Sequence, residues 1–396
     1  MRRVTILLVL GLALAPPLAG QALRLMTRDL GKVQALARAD SNDAEMQYYL
    51  ALAYWQKHRW QQADSLLRLV IRLEPRFAEA YLALYYLPFA RRPRLSNEED
   101  RGQVPEAWRP AVEEAHRFYQ RAFRTDPLVN LRVLSVVYEI EEPKVNDYTT
   151  QEYLVYERYY AWIVDLGLAR YGSAYDRLKR LGQREFNEDK HPDKVPDYIL
   201  WYRGLAAAHS RQYAAAIADF QALLDRTLKQ QQRDEIVHVP LQDNEYRFML
   251  AALNHVIGDP DRAAALYREA LEHDLGLVMA HTYLAVIYEN AGQADSALVE
   301  RQRAAEVGGD DPTALFDYAA ALFNVQRTAD AEEPLRRAVA LNPRYAPPHY
   351  LLGRVVEELG RGPEARECYT RFLAVAPHRL RDLIADAQQR LAKVQQ

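Results

Sequence analysis

Glu113 and His116 stand three positions apart, the spacing that brings a carboxylate and an imidazole onto one helical face as half of a carboxylate-bridged di-iron centre. Such a centre needs a second pair and further glutamates on facing helices, and no second E-x-x-H stands nearby; the pair reads as a solvated helix face. Histidine titrates near neutrality and ligates metals readily, so His209 and His255, which fall in neighbouring segments, could meet over a metal or sense pH, although groove-side polar groups explain them more simply. His281 and His349 occupy a helix-packing place and read as core histidines. Cys368 is the only cysteine, which excludes an intrachain disulfide, and without a local nucleophile signature it reads as a structural thiol. No G-x-S-x-G, H-E-x-x-H, Walker loop or dinucleotide fingerprint occurs. Tyr153, Tyr156, Tyr159, Tyr160, His191 and His238 are left as the polar groups of an irregular stretch, residues 128–243, that could house a ligand pocket or a hydrolytic activity, with no acid, base and nucleophile at interpretable spacing. The expectation is therefore a chain that is not an enzyme, with no metal and no cofactor.

Whatever the chain positions, it positions on helical hairpins. Residues 244–379 repeat at an interval of 34 residues through four units that begin at Asn244, Val278, Pro312 and Ala346. The eighth place holds Ala251, Ala285, Ala319 and Gly353, and the twentieth Ala263, Ala297, Ala331 and Ala365: small residues where two helices must approach closely. Leu250, Leu284, Tyr318 and Leu352 at the seventh place, with Tyr267, Arg301, Leu335 and Tyr369 at the twenty-fourth, supply bulk between units. Pro343 and Pro377 stop the second helix of their units, because proline lacks an amide donor and clashes with the preceding turn. Neither helix of a unit buries its apolar face until the next unit stacks on it.

The same register returns earlier. A unit at Ala44 carries Leu50, Ala51, Tyr54, Ala63, Leu67, Val70 and Pro75; another starts at Ala78, breaks at Pro88, and resumes with Ala115, Tyr119, Ala122 and Pro127, so residues 91–105 read as an inserted loop. Residues 149–170 read as one tyrosine-dense helix of a degenerate unit at 155–188. A clearer unit spans 197–230 with Gly204, Ala216 and Phe220 in place, although Arg203 fills a usual leucine position. Residues 236–240 suggest a brief strand or extended loop. The resulting divisions are 23–127 (a capping half-repeat and two units), 128–243 (irregular), 244–379 (four regular units) and 380–396, where Leu380, Leu383, Ile384, Ala387 and Leu391 line one face of a solvating end helix.

This pattern resembles the tetratricopeptide repeat, a helix–turn–helix unit with small residues at the eighth and twentieth places and a closing proline. The resemblance implies an all-α, right-handed superhelical α-solenoid that binds a protein or an extended peptide in a concave groove lined by the first helix of each unit. In this chain the groove places fall on Tyr48, Trp55, Tyr86 and Phe89, then on Trp201, His209, Phe248 and His255, and in the last three units on Asn290, Phe316, Phe323, Asn324, Tyr350 and Arg354. Aromatic groups bury large areas at small entropic cost and serve as binding hot spots. The carboxylate clamp of chaperone-binding members, Lys and Asn at the fifth and ninth places, is replaced here by Tyr48 and Leu52, or Phe248 and Ala252. An interaction scaffold is the leading expectation, with self-assembly into a homo-oligomer as a rival.

Composition bounds the partners and the compartment. A formal charge of −3 argues against nucleic acid. Residues 1–22 read as a secretory signal, with Arg2 and Arg3 before an apolar run over 4–15, and cleavage after Ala22 or Ala19. That run is shorter than the roughly 20 residues that span a bilayer, so the expectation is an exported chain, periplasmic or secreted, in the cell envelope and with no stable membrane span after cleavage. An uncleaved inner-membrane anchor is the alternative.

Overall fold

The computed structural model describes residues 29–92, 104–129, 131–137, 150–232 and 243–394. The proposed signal, most of the 91–105 insertion, Pro143, the 236–240 segment and His238 lie outside the described residues. All regular elements among the described residues are helical, and consecutive helices pair into hairpins that stack side by side.

A first helix, α1 (Leu30–Ala39), precedes the hairpin of α2 (Ala44–Trp55) and α3 (Trp60–Leu73). Helices α4 (Ala78–Arg91) and α5 (Arg109–Thr125) form the second hairpin. The expected break at Pro88 does not occur: Pro88 sits in the last turn of α4, where the missing amide costs one hydrogen bond and its own carbonyl still accepts from the Arg92 N–H at 3.1 Å. A short α6 (Leu134–Val137) leads towards α7 (Thr150–Tyr159), α8 (Ala161–Gly167) and α9 (Tyr171–Phe186). The single helix expected over 149–170 is thus interrupted at Tyr160, because the Trp162 indole N–H takes the Tyr159 carbonyl at 2.9 Å and the Ile163 amide turns to Tyr160.

Helices α10 (Asp197–His209) and α11 (Tyr213–Gln232) pair next. The four regular units follow as α12 (Asp243–Val256) with α13 (Pro260–His273), α14 (Val278–Asn290) with α15 (Ala294–Gly308), α16 (Pro312–Asn324) with α17 (Glu332–Leu341), and α18 (Ala346–Glu358) with α19 (Gly362–Val375). The terminal α20 (Arg381–Val394) lays Leu383, Ile384, Ala387 and Leu391 over the last hairpin.

One turn conformation recurs in each complete hairpin. The fifteenth place is left-handed at His58, Ala169, Arg211, Gly258, Gly292, Gln326 and Gly360, with φ between 54° and 84°. The following amide then bonds back to the carbonyl five residues before it, as in Arg59 to Tyr54 at 2.9 Å and Arg361 to Val356 at 2.9 Å, which satisfies a helix-end carbonyl in a Schellman turn. Ala169 shares this place with the regular units, so the degenerate hairpin keeps their register. Small residues set the helix spacing: a methyl group on Gly353 would stand 2.6 Å from Cε1 of Tyr369, and one on Gly204 2.9 Å from Cζ of Phe220.

The apolar core is not continuous. One cluster runs from Val33 to Ile287 and a second from Phe316 to Ala387. Between them lies a polar seam. Arg301, wholly buried at the twenty-fourth place, reaches Glu289 at 3.1 Å and Asp317 at 3.2 Å, while His281 meets Glu300 at 2.7 Å. Burial works against ionising Glu300, but the His281 hydrogen bond and the nearby charges of His281 and Arg303 hold its carboxyl below the usual range.

Candidate functional site

The array curls until its first hairpins touch its last. Arg76, just after α3, holds Asp317 at 2.6 Å; Arg121 and Arg124 on α5 hold Asp311 at 2.6 Å and Asp274 at 2.9 Å. Further round, the Asn342 amide donates to the Arg72 carbonyl at 2.7 Å, Arg379 meets Glu74 at 2.8 Å, and Asp40 accepts the His378 N–H at 2.7 Å. These groups lie on or beside the turns that lead from one hairpin to the next. Asp274, Asn342 and Asp40 each do two jobs: one side-chain atom closes the local turn, by accepting from Gly276, Arg344 or Asn42, and the other reaches across the curl. That edge of the array is therefore engaged with itself.

The opposite edge carries the turns within hairpins, and the described residues of the last repeats leave it exposed. Asn290 and Asn324 are exposed, Phe323 and Arg354 half-buried, and the Arg354 guanidinium lies 5.3 Å from the centre of the Phe323 ring. Arg354 also approaches Glu358 at 3.6 Å, while its Nε is buried.

Most of the other groove residues named from the sequence serve packing. Tyr48, Trp55, Phe89, Trp201, Phe248, Phe316 and Tyr350 are all buried. Trp55 stands edge-on to Trp60 at 5.9 Å, Trp201 sits among Phe123, Phe220 and Tyr246, and Phe248 among Tyr267 and Tyr283. Tyr350 donates to Asp386 of α20 at 2.6 Å, so the end helix covers it. Tyr86 is half-buried against Tyr85. The reason is geometric: with small residues at the eighth and twentieth places, hairpins close until the first helix of each is walled in by its neighbours.

The histidines are not brought together as a pair. His209 stacks on Tyr171 at 4.5 Å, whereas His255 faces Tyr267 and Tyr283, and burial keeps His255 below the usual imidazole range. Glu113 and His116 are both exposed on α5. His349 is buried with Nε2 3.0 Å from the Pro343 carbonyl. Burial pushes the Cys368 thiol up to about 11, which suppresses the reactive thiolate. Tyr159, Tyr160 and His191 are exposed, and among the described residues no three His, Cys, Asp or Glu side chains cluster as a metal site. Two features went unread in the sequence. Arg301 at a place otherwise filled by Leu or an aromatic was visible as a departure from pattern; the curl that joins Arg76 to Asp317 had no sequence signal.

A family model described as tetratricopeptide repeat matches residues 256–314 and 319–379. These hairpins are tetratricopeptide repeats. No curated protein matches the chain. Solved structures similar to the repeat array include a MamA structure from MSR-1, 18% identical over 45% of this chain and 95% of that one with a TM-score of 0.33. Another MamA crystal structure is 23% identical over 37% and 92% of the two chains with a TM-score of 0.31, and a third 16% identical over 45% and 90% with 0.36. Likeness at this level carries no argument about action. The repeats themselves make the chain an α-solenoid of the kind that serves protein–protein interaction, and among the described residues no helix is long and apolar enough to cross a membrane.

Proposed function

We propose that this chain is a non-enzymatic interaction scaffold of the cell envelope, exported into the periplasm or beyond, which holds a segment of a partner protein on its repeat array. The observation that carries this reading is the edge at the last two repeats, where Arg354 lies over half-buried Phe323 beside exposed Asn324. A cation over an aromatic face offers apolar area and charge together, the combination found at interaction hot spots. Of the groove residues named from the sequence, Asn290, Phe323, Asn324 and Arg354 are the ones best placed to touch a partner; the buried aromatics hold the repeats in register instead.

The test is a photo-cross-linking residue at Asn324, compared with one at exposed Arg337 on α17. Discrete protein adducts from position 324 that vanish in a Phe323→Ala, Arg354→Ala background, and are absent from position 337, are the expected result. Equal adducts from both positions overturn the reading. Mass determination of the mature N-terminus tests export separately: an intact Met1 on the envelope-purified chain contradicts cleavage of the signal.

A further inference from the structure

Away from the open edge, α7 and α9 border a cleft, a cavity of about 470 Å³. Among the described elements α7 packs chiefly on α8 and α9. On α7, Leu154 is 62% exposed and Val155 47%. Apolar groups exposed side by side mark interaction surfaces when they form a patch with a polar rim. Here the rim is basic. Arg158 is paired with Glu185, and Arg177 with Glu157 and Asp165. Arg180 and Arg184, both exposed on α9, have no carboxylate partner among the described residues.

We infer that this cleft docks an acidic amphipathic helix of a partner protein. Arg180 and Arg184 are separated by one helical turn, about 6 Å along the axis, which matches two carboxylates four residues apart on a docked helix. The partner's apolar stripe would cover Leu154 and Val155, supplying the packing that a neighbouring repeat supplies elsewhere in the array. Charge decides the occupant: within a chain of formal charge −3, four arginines and two glutamates line this cleft, so it selects an acidic helix over a neutral or basic one. The site shares no residue with the open edge at Phe323, and either can fail without the other.

The test uses the full chain and a synthetic amphipathic helix of roughly 18 residues, about five turns, with a leucine stripe flanked by glutamates. A second peptide replaces each glutamate by lysine. Fluorescence anisotropy is expected to show saturable binding of the acidic peptide alone. Arg180→Glu with Arg184→Glu, two exposed positions whose change leaves the helical fold intact by circular dichroism, should weaken that binding about tenfold or more, as two ion pairs become two repulsions. Leu154→Asp should weaken it without altering the arginines. Binding of both peptides alike, no binding of either, or an unchanged affinity in the charge-reversed variant overturns the inference. So does flotation of the chain with phosphatidylglycerol vesicles in the absence of any peptide binding, which would make the surface a lipid contact.

Discussion

Arg76 and Asp317, 241 positions apart in sequence, meet at 2.6 Å, and Asp317 is 1% exposed. Asp317 also receives Arg301 from within its own half of the array at 3.2 Å. One carboxylate thus joins the curl that closes the solenoid to the seam that divides its core.

Removing that carboxylate takes away the Asp317 partner of half-buried Arg76 and leaves wholly buried Arg301 with Glu289 alone. Asp317→Ala is expected to cost about 3–5 kcal/mol, the range for breaking a buried pair by deleting one partner. Arg301→Leu installs the residue found at the same place in Leu67 and Leu335 and leaves Arg76 paired with Asp317, so its loss should be clearly smaller. Urea denaturation of both variants decides the matter, and equal losses would mean that Asp317 is not the shared anchor.

The outer pairs of the curl behave differently from this inner one. Arg124 and Arg379 are 38% and 54% exposed and face half-buried Asp274 and Glu74, so each of these pairs contributes about 0–1 kcal/mol and is screened by salt, whereas Arg121, 41% exposed, holds an Asp311 that is itself buried. Replacing all three with alanine should enlarge the radius of gyration seen by small-angle scattering and make it more sensitive to salt. A radius identical to that of the parent chain at low and at molar salt would show that the ends are kept together by something else.

The left-handed turns offer a test by substitution. Gln326 adopts φ 65° and Gly360 φ 78° at equivalent places. A side chain in that region is strained while glycine is at ease there, so Gln326→Gly should stabilise by about 0.5–1 kcal/mol and Gly360→Ala should destabilise by about 1 kcal/mol. Changes of the same sign in the two variants would contradict a shared turn.

Asp126 makes stability depend on pH. Its carboxyl accepts the Leu128 N–H at 2.9 Å, and burial pushes it up to about 6. The unfolded chain releases the same proton near about pH 4; between those values the folded form holds a proton that the unfolded form has lost. The stability this group contributes is full below about pH 4 and is lost as pH rises through about 6. Asp126→Asn removes the titration, so the difference in urea midpoint between parent and variant should move against the parent across that window. Parallel profiles would refute the assignment.

The hairpins and their register could be read from residue types alone, because close helix packing demands Ala or Gly at fixed places and helix ends demand proline or a left-handed residue; Ala251, Ala365, Pro343 and Pro377 satisfy local requirements that any neighbour would impose. Burial of individual groove residues could not be read that way. Trp55 and Phe323 occupy the same place in their units, yet Trp55 is enclosed beside Trp60 while Phe323 stays half-exposed under Arg354, since exposure depends on what the neighbouring unit presents.

Local spacing therefore determined that this chain is a stack of paired helices. The contacts of Arg76 with Asp317, of Asn342 with Arg72 and of Arg379 with Glu74 came only with the tertiary structure. Each joins distant residues through the accumulated rotation of the intervening hairpins, and a small angle per repeat, summed along the array, is written in no single residue.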